Sequence, residues 1–202
     1  MNYPRNVAIL VFDDVEVLDF CGPYEVFNVA SEAVTPSPFY VYSVGIIERP
    51  IQARGRFTFT PHYTIETSPQ ADVLIVPGGY GIRPLIKHGR LLSWIADQAN
   101  KVELLISVCT GALLLAKAGL LESCEATTHH SAFDRLKELS PTTTVVADRR
   151  FVQTSQRILT AAGISAGIDV ALHVVNELAG SRVHDAVVEE MEYNWETRES
   201  IQ

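Results

Sequence analysis

An α/β fold with a doubly wound, mostly parallel sheet sandwiched by helices is what this 202-residue sequence predicts, on three observations. Short uninterrupted apolar runs, such as Val7-Ala8-Ile9-Leu10-Val11-Phe12 and Val73-Leu74-Ile75-Val76, have the pattern of strands covered on both faces. Segments with helical spacing alternate with those runs along the chain, as β-α-β units require. The passages from strand to helix are made by small residues, at Pro77-Gly78-Gly79-Tyr80-Gly81 and at Gly163-Ile164-Ser165-Ala166-Gly167, where backbone can come close to a ligand.

In chain order, the first apolar run ends at Asp13-Asp14 and a short loop feeds a helix with apolar positions at Phe20, Pro23, Tyr24 and Phe27. Pro23 is expected near the start of that helix, where first-turn amides lack partners. Tyr40 to Ile46 reads as a second strand after the Pro36-Ser37-Pro38 breaker, and Ile51 to Tyr63 as a hairpin attached to the main sheet around Arg54-Gly55-Arg56. Leu91 to Ala99 reads as an amphipathic helix, followed by a strand over Val102 to Val108 and a helix that stops at Gly119. A short strand at Glu125 to His130 running into a helix at Ser131 to Leu139, strands at Thr144 to Val146 and Arg157 to Ala162, and helices from Ile168 and over Val183 to Tyr193 complete the reading. With no repeat, low-complexity tract or linker, residues 1–202 are expected to form a single domain.

Composition narrows the function. A hydrophobic fraction of 47% with 20% charged residues is ordinary for a water-soluble protein. No stretch approaches the roughly 18 apolar residues a membrane span needs, and the N-terminus has no basic segment leading into an apolar one, so no membrane partner and a cytoplasmic location are expected. A formal charge of −8, with Arg149-Arg150 the one adjacent basic pair, argues against nucleic acid as a partner. The three cysteines, Cys21, Cys109 and Cys124, form an odd set without CxxC or zinc-finger spacing, so neither a disulfide framework nor structural zinc is expected.

The chemistry centres on Leu104 to Leu115, a buried strand and an apolar helix joined through Ser107-Val108-Cys109-Thr110-Gly111. A thiol at such an elbow faces the carboxyl-edge crevice where open α/β sheets bind ligands. The unpaired amides of the following helix are expected to favour its thiolate. A buried structural cysteine beside a threonine cap is the plainer alternative. Asp19, just after the first strand, is expected near a helix N-terminus, and a simple capping role is its alternative. The strands ending before Asp13, Pro77, Cys109 and Gly163 should all open on one edge. His129 and His130, read as neighbours on a strand, should point to opposite sides and make a poor metal site.

Five motifs in one order, Val17-Leu18-Asp19-Phe20-Cys21-Gly22-Pro23-Tyr24-Glu25-Val26-Phe27, Pro77-Gly78-Gly79, Ser107-Val108-Cys109-Thr110-Gly111, Ala126-Thr127-Thr128-His129 and Gly163-Ile164-Ser165-Ala166-Gly167-Ile168-Asp169, resemble the ThiJ/PfpI superfamily. Within it the sequence is most similar to the isocyanide hydratase branch, through Leu-Asp-x-x-Gly-Pro and the Cys-Thr pair. The likeness spans Val7 to about Tyr193. It implies a flavodoxin-like sandwich, a homodimer, a small-molecule substrate and no cofactor or metal. It implies Cys109 as nucleophile, Asp19 as its acid/base partner, and the amides of Gly79 and Thr110 as donors to developing charge. Gly78, Tyr80, Thr128, His129, Ile164 and Ser165 are the implied pocket residues. Thr110 stands where proteolytic relatives have histidine, which speaks against peptidase activity, and Asp19 stands where deglycase-like relatives have glutamate. Ala161-Ala162 falls where the hydratases are expected to be glycine-rich, and Cys21 is placed to approach the site. The resemblance also covers ligand-sensing domains of transcription regulators, and a reactive thiol is an oxidation target. Sensors of this shape carry a basic helix-turn-helix segment, whereas this sequence closes on an acidic stretch with Glu189, Glu190, Glu192, Glu196 and Glu199.

Overall fold

The computed structural model describes residues 4–195, so Glu196 and Glu199 lie outside the described residues. In order, β1 (Arg5–Val11), α1 (Val17–Ala33), β2 (Phe39–Gly45), β3 (Ile51–Gln52), β4 (Thr58–Phe59), β5 (Tyr63–Thr64) and β6 (Val73–Val76) form the first part of the chain. They are followed by α2 (Ile82–Leu85), α3 (Gly89–Ala99), β7 (Leu104–Val108), α4 (Ala112–Lys117), β8 (Glu125–Ala126) and α5 (Phe133–Leu139). The last elements are β9 (Thr144–Val145), β10 (Phe151–Gln153), β11 (Ile158–Ala161), α6 (Ala166–Ala179) and α7 (Ser181–Glu190).

Seven strands make the main sheet in the order β10-β11-β7-β6-β1-β2-β5. Every pairing is parallel except β10 with β11. The mostly apolar central strands β1, β6 and β7 are buried between two helical layers, α1, α6 and α7 in one and α3, α4 and α5 in the other. From β1 the chain crosses to β2 and then returns past β1 to β6, so strand order reverses between β1 and β6. The crevice outside their carboxyl ends is where a doubly wound sheet holds its ligand.

Several elements depart from the sequence reading. The hairpin of β3 and β4 is a separate antiparallel pair, and only β5 joins the main sheet, at its edge beside β2. The hairpin instead docks on the loop after β1, through Asp14 N–H to Gln52 O (2.9 Å), Arg54 N–H to Val15 O (2.9 Å) and Gln52 N–H to Asp13 Oδ1 (3.0 Å). The strand expected over 125–130 stops at Ala126, because Thr127 N–H turns to Thr160 Oγ1 (2.9 Å) and Thr128 Oγ1 donates to Cys109 O (2.7 Å). A 3-10 turn at His130–Ala132 precedes α5, and α7 ends at Glu190. Helix α1 begins early enough that Pro23 falls in its second turn, where it withholds an amide from the Asp19 carbonyl.

One contact between loop and strand fixes the elbow's depth. A Cβ built on Gly111 would lie 2.0 Å from Val76 O, so the turn after β7 rests directly on the end of β6. Gly111→Ala is expected to destabilise the protein by about 2–3 kcal/mol, read as a lower denaturation midpoint, because the obstacle is backbone and cannot rotate away.

Candidate functional site

Cys109 leaves β7 with φ 57, in the left-handed region that a side chain occupies at a cost of roughly 1–2 kcal/mol. Two hydrogen bonds hold it there. Its N–H donates to Ala162 O (2.9 Å), and its carbonyl accepts the Thr128 hydroxyl (2.7 Å), so the chain just beyond β11 and the segment after β8 fasten the elbow from both sides. Cys109 is 6% exposed and Asp19 is fully buried.

Asp19 stands in the first turn of α1 and does not cap it: Glu16 is the N-cap, and no side chain bonds the free amides there. Its Oδ2 accepts Gly78 N–H at 2.9 Å. Its Oδ1 has no hydrogen-bond partner among the described residues, and the Cys109 thiol lies near enough for the two groups to perturb each other's ionisation. Gly78 permits this closeness, since a Cβ there would stand 2.5 Å from Thr110 N and 3.0 Å from Asp19 Oδ2. Next to it, Gly79 (φ 129) donates its N–H to Thr110 Oγ1 at 3.0 Å, so the threonine hydroxyl occupies that amide. The amides directed at the sulfur belong to Thr110 and Ile164, the latter also with positive φ (49).

The electrostatics reverse one expectation. Burial above all, and then the Asp19 charge, push the Cys109 thiol up to about 12, while the Thr110 and Ile164 amides pull it the other way. The helix after the cysteine starts as a 3-10 turn at Cys109–Gly111 and continues for six residues, and the pull of its amides on the thiol is outweighed by burial. Burial also lifts the Asp19 carboxyl from its ordinary 3.8 to about 7, with the Gly78 amide and the thiol opposing and Glu16 adding to the rise. The thiol thus rests protonated, and beside it lies a carboxyl that exchanges its proton near neutrality. The two titrate as one unit.

The remaining predicted residues divide. The His129 ring packs on Gly163, where a Cβ would lie 2.3 Å from Cδ2, and its Nδ1 faces Ser131 Oγ at 2.8 Å. Burial and the neighbouring His130 hold it below the usual histidine range. The two histidines do not point to opposite sides; with the strand ended at Ala126, their rings lie 4.3 Å apart. Ser165 Oγ accepts Arg150 Nη2 at 3.0 Å, and Arg150 Nε also reaches Asp169 Oδ2 at 2.7 Å, so this hydroxyl is held by a surface ion pair. Tyr80 is 56% exposed. It stands on the rim of a cavity of ≈ 240 Å³ that opens between the carboxyl ends of β1 and β2 and is walled by Phe12, Ile46, Ile47, Ile51 and Leu85. Cys21 is half-buried in α1, with its thiol pushed up by burial and by Glu25. Cys21, Cys109 and Cys124 are all free thiols.

Sequence reasoning missed a pair at the mouth of the site. Arg54 Nη1 donates to Glu16 Oε2 at 2.5 Å, its Nη2 reaches Tyr80 OH at 3.5 Å, and its guanidinium carbon lies 4.7 Å from the Tyr80 ring centre. Arg54 comes from the hairpin turn, and its local sequence, Arg-Gly-Arg, signals only a turn. Among the described residues no group of three or more His, Cys, Asp and Glu side chains converges as a metal site, and no helix is long and apolar enough to cross a membrane.

A parallel, doubly wound sheet bearing a cysteine on a left-handed elbow and a buried carboxyl beside it defines a flavodoxin-like α/β protein. The sequence profile of the DJ-1/PfpI family matches residues 5–177, and the chain belongs to that family. It is 34% identical to isonitrile hydratase of Pseudomonas putida over 188 residues, which cover 93% of this chain and 78% of that protein. It is also 24% identical to the HTH-type transcriptional regulator GbdR of Pseudomonas aeruginosa, over 92% of this chain but only 50% of the regulator. Among solved structures, a THiJ/PfpI family protein from Pseudomonas syringae superposes with a TM-score of 0.85 at 28% identity, covering 96% of this chain and 77% of that one.

Proposed function

We propose that the protein is a cysteine-dependent isonitrile hydratase that adds water to R–N≡C and releases the N-substituted formamide. The observation that carries this reading is the placement of the buried Asp19 carboxyl beside the Cys109 thiol, near enough for each to perturb the ionisation of the other, at the carboxyl edge of the sheet. The similarity to the Pseudomonas putida enzyme supports it.

The proton inventory suggests the order of events. As carboxylate, Asp19 takes the Cys109 proton while the sulfur attacks the terminal isonitrile carbon. The new S–C bond uses a sulfur electron pair, and the carbon's own lone pair takes the proton back from Asp19, giving a thioimidate, Cys–S–CH=N–R. Water then adds to that carbon, Asp19 moves a proton from the water toward nitrogen, and collapse of the tetrahedral adduct breaks the S–C bond. The formamide leaves and the thiol is restored. The Thr110 and Ile164 amides hold charge on the sulfur as it forms and again as it departs.

Because the base must be ionised to start the cycle, kcat/KM is expected to rise as pH passes through about 7, the value to which burial brings Asp19. The decisive assay follows formamide production from a panel of aromatic and aliphatic isocyanides, beside dicarbonyls. Turnover of dicarbonyls alone would move the protein to another thiol-enzyme class. The likeness to a transcription regulator favours one competing reading, a sensing domain that binds a small molecule without turning it over. Saturable isocyanide binding with no formamide would select it.

A further inference from the structure

The reactive pair is enclosed by more charge than the proposed chemistry uses. Glu16 is tied into the site through its backbone: its N–H donates to Gly78 O at 3.0 Å, and its carbonyl accepts Asp19 N–H at 3.2 Å. Glu16 is therefore fixed next to Asp19 and to Gly78, whose amide positions the Asp19 carboxyl, and its charge opposes ionisation of Asp19. A negative charge at that place, next to the carboxyl, also makes charge on the sulfur harder to form.

Arg54 answers that charge. Its backbone is fixed by the hydrogen bond from its N–H to Val15 O, one residue before Glu16, and its side chain pairs with the Glu16 carboxylate and lies on the Tyr80 ring. Through Glu16, whose backbone is bonded to Gly78 and Asp19, its guanidinium is joined to the reactive pair. The charged and titratable groups linked to one another here are Asp19 beside the sulfur, Glu16 beside Asp19 at the start of α1, Arg54 from the hairpin on Glu16, Tyr80 from the turn after β6 under Arg54, and His129 from the segment after β8 within reach of Glu16. Of these, Arg54 is the permanent cation.

We propose that Arg54 is a positioning residue for the Cys109–Asp19 pair, neutralising Glu16 at the crevice mouth, holding the β3–β4 turn and Tyr80 against it, and so controlling how readily the sulfur is unmasked as a nucleophile. The proposal rests on the reading of Cys109 as nucleophile and Asp19 as its proton partner. It does not rest on the identity of the substrate. Its test is therefore direct alkylation of Cys109 by iodoacetamide across pH, followed by mass spectrometry of the Cys109 peptide so that Cys21 and Cys124 do not contribute.

Arg54→Met should slow Cys109 alkylation about threefold at a fixed pH, equivalent to a displacement of the profile by about half a pH unit upward, as expected for one partly screened charge at this range. Glu16→Gln should displace it downward by a similar amount. The double variant, which restores the original net charge, should fall near wild type. Arg54→Lys keeps the charge and should hold the profile in place. If Arg54→Met lowers the denaturation midpoint and leaves the alkylation profile unmoved, Arg54 is a clamp of the hairpin only and the proposal fails. It fails equally if Glu16→Gln moves the profile upward, a result readable even where Arg54→Met does not fold. A wild-type protein inert toward every isocyanide would refute the hydratase reading while leaving this electrostatic result intact.

Discussion

Replacing Cys109 with alanine is expected to reduce isonitrile turnover to background, a loss of roughly 10^4 to 10^6 in kcat if the covalent route carries the reaction. The fold should survive. The side chain is small, and the elbow is fastened through main-chain groups at Ala162 and through the Thr128 hydroxyl, none of which involves the sulfur. Circular dichroism and the denaturation midpoint should match wild type closely, while formamide formation, followed spectroscopically, disappears. The variant should also gain stability at alkaline pH, since a thiol held at about 12 resists ionisation in the folded state more than in the unfolded one. Turnover that persists in Cys109→Ala would exclude a thioimidate.

Asp19→Asn is expected to show two effects of opposite sign. The rate should fall by roughly 10^2 to 10^4, the usual worth of a positioned acid/base group. Stability should rise with pH relative to wild type. In the folded protein the carboxyl holds its proton up to about 7 against 3.8 ordinarily, so its stabilising contribution is complete below about pH 4 and is lost as pH climbs through 7. At about 1.4 kcal/mol for each unit, that slope amounts to at most about 4 kcal/mol across the interval, and asparagine, which does not ionise, abolishes it. The amide oxygen still accepts the Gly78 N–H, so the local geometry is kept. Thermal denaturation of both proteins at pH 4, 6 and 8 checks the divergence. A uniform loss of about 1 kcal/mol at every pH, with the rate unchanged, is what a helix cap would give instead.

The strands and the elbow were legible because their signals are local. A run such as Leu104 to Val108, short and bounded by turn residues, reads as a strand covered on both faces, and four such runs ending in polar or small residues converge on one edge. What the sequence hid depends on contacts between distant segments. The strand at 125–130 is cut short by hydroxyls from residues 128 and 160, and the hairpin leaves the main sheet because the loop after β1 offers it hydrogen bonds. Strand β10, three residues long and directly after an arginine pair, carries too little pattern to be seen. At the site, position along the chain placed Asp19 and Cys109 at the same crevice. The protonation of the pair was not legible: amides at a helix start favour a thiolate, but burial and the neighbouring carboxyl outweigh them, and burial is a property of the whole fold. Arg54 was invisible for the same reason, since 38 residues separate it from Glu16.

The turn at position 109 is secured through the Cys109 main chain, by the Ala162 carbonyl and the Thr128 hydroxyl, and not through the sulfur. The cavity between the carboxyl ends of β1 and β2, walled by Ile46, Ile47 and Leu85, does not have position 109 in its lining, so exchanges in those walls leave the hydrogen bonds of the turn untouched. Such a scaffold can diversify its recognition while its reactive atom keeps a constant address, which fits a lineage whose members carry names as different as hydratase and gene regulator.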